Sequence, residues 1–511
     1  MNSNTSEIAG NAVTVGGATL LSRILGFVRD LIVAFALGAG PLADAFFVAF
    51  RLPNLLRRLF AEGSLTMAFV PVFTRIRHDQ GMDEAQRMAR STLFWLVLIL
   101  GGITAAALIW ARPLTLIVAP GFAQDPAVLD SAVHLVRICF PYILFISAVA
   151  LSMGVLNSMG HFLAPALAPC FLNLSMILAS LIGVWAGLSV PVCLAWGVLA
   201  AGVVQWLIQL PALHARGIVW RGEWSPSHPG VRRVGRLMLP TVFGAAVYQL
   251  NVVLNTVLAS FLVQGSISYL YYADRLVQFP LGVFGLAVST AALPSLSSLL
   301  AREQRVEFVR TLQTTVNLLL FISLPAAAGL IGLSLPMVDV LFGRGAFDPG
   351  AVQATSAALI GYSLGLPAFC AVRSLVSALY ALEDTRSPVW AAVVSLGINL
   401  GLGLLLMQFI AHVGLAVAVS LASWANVLLL GRALNRHVGR WFGLQPGLLW
   451  MTGLSVVLGL ACSLAASWGW PSLACIPLFA GAYMTAARML HLPEAEMILS
   501  TLGRKLGKGS R

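Results

Sequence analysis

Apolar runs of about 20 residues, each closed by a short polar or basic stretch, recur along the whole chain. Each is long enough to cross a hydrocarbon core of about 30 Å as a helix. Transmembrane strands would instead alternate apolar and polar positions over about ten residues, and that alternation is absent. The pattern predicts fourteen spans, near residues 12–38, 43–73, 92–111, 131–156, 163–186, 190–212, 237–263, 267–300, 311–334, 351–381, 388–410, 413–431, 446–467 and 472–488. The fold class that follows is an all-α polytopic membrane protein with no sizeable soluble domain.

Composition strengthens this reading. Of 511 residues, 59% are hydrophobic and 10% are charged, with a mean hydropathy of +0.89. A soluble protein of this size needs roughly a quarter of its residues charged to cover its surface. The opening "MNSNTSEIAG" is polar and lacks a basic region, so no cleaved signal peptide is expected. The six cysteines are scattered through apolar segments without CxxC spacing, and the eight histidines show no ligand spacing. No metal site and no cofactor are expected.

The net charge of +12 changes the picture only through where it sits. With the N-terminus in the cytoplasm, 21 basic residues fall on cytoplasmic connections and span ends, against Arg112 and Arg344 alone on the other side. This is a strong positive-inside bias and predicts both termini in the cytoplasm. It also accounts for most of the charge without a nucleic-acid partner.

The chain carries an internal repeat. "LNSMGHFLAP" at 156–165 resembles "LYALEDTRSP" at 379–388, a shift of 223. "FVAFRL" at 47–52 resembles "YYADRL" at 271–276, a shift of 224. Phe60 to Pro71 resembles Phe284 to Pro294 with a one-residue slip, and "LAWGVLA" at 194–200 resembles "LAVAVSL" at 415–421. Four matches in one order predict two six-helix lobes in parallel orientation, 1–236 and 237–440. Residues 441–511 add two further spans and a basic tail. Parallel repeats are a transporter plan, with the substrate site between the halves. The stretch 213–236 is the natural connector.

Charged residues inside the spans are the candidate chemistry. An arginine at mid-bilayer costs about 2.5–3.5 kcal/mol on insertion scales, and snorkelling does not help far from a helix end. Arg23 and Arg29 lie centrally in the first span, Arg57 and Arg58 in the second, and Arg275 a third of the way along the eighth. Arg23 and Asp30, Asp44 and Arg51, and Arg51 and Arg58 are seven apart, which on a helix gives nearly one direction. The acids Asp30, Asp44, Glu62 and Asp274 are outnumbered by Arg23, Arg29, Arg51, Arg57, Arg58 and Arg275. Neighbours such as Arg29 and Asp30 diverge in direction on a helix, so full pairing is not expected. A cationic hollow suits a substrate with an anionic head and a greasy tail. The residues alone leave open a structural role, each arginine tied to an acid or a carbonyl. No nucleophile or acid–base constellation suggests an enzyme. "GRGAF" at 343–347 lacks the spacing of a phosphate loop and reads as a turn.

"SRILGFVRD" (22–30), "ADAFFVAFRLPNLLRRLFAEGSLTMAFVP" (43–71), "APGFA" (119–123), "FPYIL" (140–144) and "YYADRLVQFPLGVFGLA" (271–287) carry a resemblance. They resemble the bacterial lipid II flippase family, MurJ (also called MviN), of the multidrug/oligosaccharidyl-lipid/polysaccharide (MOP) exporter superfamily. The resemblance covers essentially the whole chain. It implies a lipid flippase, not an enzyme, in the bacterial cytoplasmic (inner) membrane. The implied substrate is lipid II, a disaccharide–pentapeptide on undecaprenyl pyrophosphate. It would move from the cytoplasmic to the periplasmic leaflet by alternating access, for peptidoglycan synthesis. Membrane lipids and cell-wall synthesis proteins are the other implied partners. By motif position the implied substrate-binding residues are Arg23, Arg29, Asp44, Arg57 and Arg275, with Asn54 and Arg58 as neighbours. Spans thirteen and fourteen would form a groove for the polyprenyl tail. Gln278 departs from members that carry glutamate there, so an acidic partner for Arg275 is not implied. In the expected cycle Asp44 latches a periplasmic gate by pairing with a basic residue. Glycines near 38–40 and 282–285 are the expected hinges.

Overall fold

The computed structural model describes residues 3–58, 64–443 and 446–508. The predicted cavity acid Glu62, together with Gly63 and the basic Arg511, lies outside them. Every regular element among the described residues is helical, and the described parts of the predicted spans fall almost wholly on helix. By length and apolarity alone, seven described helices are able to cross a membrane, or eight if one bent pair counts as a single span. Of the other predicted spans, 12–38 carries Arg23, Arg29 and Asp30, and 267–300 is interrupted by a π turn at Leu281–Gly285.

Contacts divide the chain into two compact units. The first comprises Met1–Ser268 with Gly345–Asp348. It contains α1 (Ser3–Leu37), α2 (Pro41–Leu56), α3 (Ser64–Gln80), α4 (Met82–Ile109), α5 (Ala111–Val118) and α6 (Pro126–Cys139). It continues with α7 (Tyr142–Ser158), α8 (Leu163–Trp185), α9 (Val190–Leu207), α10 (Gln209–His214) and α11 (Pro229–Ser260). Prolines at the first position of α2, α6 and α11 and the second of α9 suit a turn whose N–H groups have no helical partner. Asp125 caps α6 by accepting from the amides of Ala127 and Val128. Phe69, Phe73, Met88 and Leu151 form a dry core between α3, α4 and α7. Val97, Leu98 and Ile99 of α4 are each more than half exposed, as expected of a lipid-facing surface.

The connector read from the sequence is an ordered strap along α4. Arg90 donates to the carbonyls of Val219 (2.9 Å) and Glu223 (3.3 Å), and Trp95 to that of Pro226 (2.9 Å). The Ser225 amide donates to Ser91 Oγ, and Trp224 stacks on Phe94 at 4.0 Å. The unit boundary after Ser268 differs from the repeat boundary at 236, because α11 packs on α3. Contact and repeat describe different things here: one is packing, the other sequence symmetry.

The second unit comprises Tyr269–Arg344 and Pro349–Arg511. It holds the body of α12 (Ser266–Pro280), then α13 (Leu286–Ala301), α14 (Arg305–Gly332), α15 (Ser334–Phe342), α16 (Pro349–Ser363) and α17 (Leu366–Ala381). Beyond these lie α18 (Arg386–Val438), α19 (Pro446–Ser467), α20 (Ser472–Met489) and α21 (Pro493–Lys508). A π turn at Leu281–Gly285 follows Pro280, inside the stretch expected to be a hinge. The α16–α17 pair bends by 40°. The 53 residues of α18 are two helices, broken at Ile410 and Ala411 (φ 45°), which matches the gap between the spans predicted at 388–410 and 413–431. Short α5, α10, α15 and α21 were not predicted. The first three are too short to show as runs, and α21 is amphipathic and not apolar.

Candidate functional site

In the first unit, Arg29 is buried against its chain neighbour. Its Nε and Nη2 both donate to Asp30 Oδ1, at 3.0 and 2.7 Å, and Nη1 donates to Asn173 Oδ1 of α8 at 3.0 Å. This corrects the expectation that adjacent side chains diverge. The arginine is long enough to curl back along α1, and burial leaves it no water to prefer. Asn173 also donates to the Ser22 carbonyl at 3.0 Å, so it fastens α8 to α1 beside Gly26. Sequence reasoning missed Asn173. Its one signal was an amide inside the apolar run "CFLNLSM" (170–176).

Arg23, six residues earlier on α1, is exposed and makes no hydrogen bond or ion pair with any described residue. At the end of α2, Pro53 removes a helical N–H, and residues 57–58 form a π turn. There Asn54 Oδ1 accepts from Arg57 Nε (3.0 Å) and Nη2 (2.8 Å), which holds the guanidinium fork in place. Arg58 is half-buried and without a described partner. Arg51 donates to Thr256 Oγ1 and the Val252 carbonyl of α11, so it ties two helices together.

Asp44 is 3% exposed. It accepts from the amides of Gly265 (2.7 Å) and Ser268 (2.8 Å) and from the Ser268 hydroxyl. Its partners are therefore a turn and the first residues of α12, and not a basic side chain as expected. Gly265 (φ +95°) turns the chain so that these amides face the carboxylate. Beside it lies a cavity of about 350 Å³ lined by Asp44, Asp125, Gln124, Ser260 and Gln264 among others.

In the second unit, the Arg275 guanidinium lies 4.6 Å from the centre of the Tyr271 ring. Arg275 Nη1 donates to Gln278 Oε1 at 3.3 Å, and Gln278 Nε2 donates to Asp274. Gln278 thus links cation and acid through its two-ended amide. Among the acids of this set, Asp30 holds an arginine directly. Asp44 is taken up by amides, and Asp274 is reached by Gln278. The structural alternative holds for Arg29 and Arg51, while Arg23 and Arg58 remain uncommitted.

A family model described as lipid II flippase MurJ matches residues 33–485. The lipid II flippase MurJ of Burkholderia cenocepacia is 37% identical over 467 residues, spanning 90% of this chain and 89% of that protein. The solved lipid II flippase MurJ in an inward closed conformation aligns with a TM-score of 0.80 at 26% identity, over 94% of this chain and 99% of that one. A multidrug resistance MATE family transporter of the MOP superfamily, inward-facing, is 12% identical with a TM-score of 0.69 over 84% of this chain, a likeness of fold.

Proposed function

The chain belongs to the lipid II flippase MurJ family, and from that premise we propose that it moves lipid II across the bacterial inner membrane. Transport runs from the cytoplasmic to the periplasmic leaflet by alternating access and supplies peptidoglycan synthesis. Both termini lie in the cytoplasm, a reading supported by the basic bias of the connections. Residues 1–236 and 237–440 act as repeat lobes, and 441–511 add a groove for the polyprenyl tail. Cell-wall synthesis enzymes that consume the product are the natural protein partners.

Arg23 and Arg58, arginines of membrane-spanning helices with no acid partner among the described residues, carry this reading. Arg23 and Arg58 have no described partner, and Asn54 Oδ1 holds one side of the Arg57 fork. Arginine forks match phosphate oxygens bidentately. In this scheme Arg23, Arg57 and Arg58 neutralise the pyrophosphate. Asn54 aims Arg57. Arg29 shapes the wall through Asp30 and Asn173, and Asp44 holds the turn before α12.

The test is transport of labelled lipid II by the purified chain in vesicles, read by head-group accessibility. Arg23→Ala with Arg58→Ala is expected to abolish transport at unchanged protein level and melting temperature. Transport at the unsubstituted rate in that double variant removes the anion site from the scheme.

A further inference from the structure

The repeat makes α7 and α17 counterparts, with Ser158 and Ala381 at their ends 223 residues apart. Their corresponding faces have opposite fates. On α7 the face is closed: Ala150 is 3% exposed, and Phe69 of α3 packs so tightly on Gly154 that a Cβ there would lie 3.0 Å from the ring. On α17 the same shift of 223 replaces Ala150 with Arg373, Gly154 with Ser377 and Asn157 with Tyr380. Phe69 becomes Ala292 of α13, so the ring that covers the first face is missing from the second. Arg373 and Tyr380 are exposed, Ser377 is partly so, and spacings of four and three residues place all three on one side of α17.

Arg373 lies eight residues from the end of α17, about 12 Å along the axis. It makes no hydrogen bond or ion pair with any described residue. A guanidinium with no described partner at that depth costs about 2.5–3.5 kcal/mol against lipid on insertion scales, which argues that this open face is wet. We propose that Arg373, Ser377 and Tyr380 form a second anion subsite, which takes a carboxylate of the peptide on the transported head group. The assignment rests on the flippase reading. One arginine with two flanking hydroxyls suits a single carboxylate and its neighbouring amides. A pyrophosphate carries more charge and calls for several cations, which the arginines already described supply.

The experiment compares two labelled substrates in vesicles containing the full chain: lipid II with free stem-peptide carboxylates, and the same lipid with those carboxylates amidated. The unsubstituted protein is expected to prefer the free acid. Arg373→Gln is expected to slow the free acid about tenfold and the amidated lipid far less, so that the preference collapses toward one. Arg373→Lys restores part of it. Ala292→Phe with Ser377→Gly copies the packing of the first half, closes the face and gives the same collapse. Equal slowing of both lipids by Arg373→Gln, or no slowing of either, overturns the subsite while leaving the flippase reading standing. Failure of the unsubstituted protein to move either lipid overturns both.

Discussion

His437 donates from Nε2 to Asp384 Oδ2 at 2.9 Å, joining the end of α18 to the turn before it. The repeat equivalents of these residues, 221 and 223 positions earlier, are Arg216 and His161. Arg216 Nη2 lies 3.0 Å from His161 Nδ1. The same clasp is thus built twice, with different chemistry. In the first copy, burial and the neighbouring Arg216 lower the His161 pKa, so its ring accepts from the guanidinium. In the second, the histidine is the donor and a carboxylate accepts. The two clasps fit the proposed six-helix repeat.

The second clasp has a pH signature. Partial burial works against ionisation of Asp384, but the Ser387 hydroxyl and amide, His437 and the Arg386 amide together hold its pKa down to about 2. A carboxylate depressed on folding stabilises above its unfolded pKa of about 4, and that contribution is lost as pH falls toward 2. Asp384→Asn is expected to cost about 1 kcal/mol at neutral pH. Melting curves in detergent should show the gap between variant and parent narrowing between about pH 4 and pH 2.

Asp44 orders the turn before α12, so its loss is structural before it is functional. Asp44→Ala strands the amides of Gly265 and Ser268 and is expected to cost about 2–4 kcal/mol. Ser268→Ala removes one hydroxyl donor and costs about 1 kcal/mol. The order of the two melting temperatures in detergent checks this. A smaller effect for Asp44→Ala than for Ser268→Ala contradicts the assignment.

The buried Arg29–Asp30 pair makes a related distinction. Asp30→Ala leaves a buried cation without its carboxylate and is expected to destabilise by about 3–5 kcal/mol. Arg29→Met combined with Asp30→Leu removes both charges and should recover most of the loss in melting temperature. Arg29→Ala by itself is therefore a poor probe of transport, because it lowers the amount of folded protein.

Arg90 is the main fastening of the strap on α4. Arg90→Ala removes its bonds to Val219, Glu223 and Gln86. Limited proteolysis of the variant is expected to nick residues 217–228 well before the parent protein is cut. Equal resistance shows that the stacking of Trp224 on Phe94 suffices.

The helices and their breaks were legible because lipid offers no partner to backbone N–H and C=O groups. Each span must satisfy its own hydrogen bonds, so apolar run length reports it directly. The gap in α18 and the turn at 343–347 were legible for the same reason, as polar interruptions. Arginines out of place in such runs marked the candidate site, since their cost is local. Their partners were another matter. Asp30 stands next to Arg29, yet adjacency on a helix argued against the bond that forms. The Asp44 partners lie 221 and 224 residues away and are backbone amides, which no residue type advertises.

The sequence by itself determined the all-helical membrane class, the apolar helices and the excess of cations, all of which follow from local composition and solvent. Only the tertiary structure decided which cations stay uncommitted. Pairing depends on which donors and acceptors packing brings within about 3 Å. Residues far apart in the chain, such as Asn173 and Arg29, meet only because small residues let α8 close on α1.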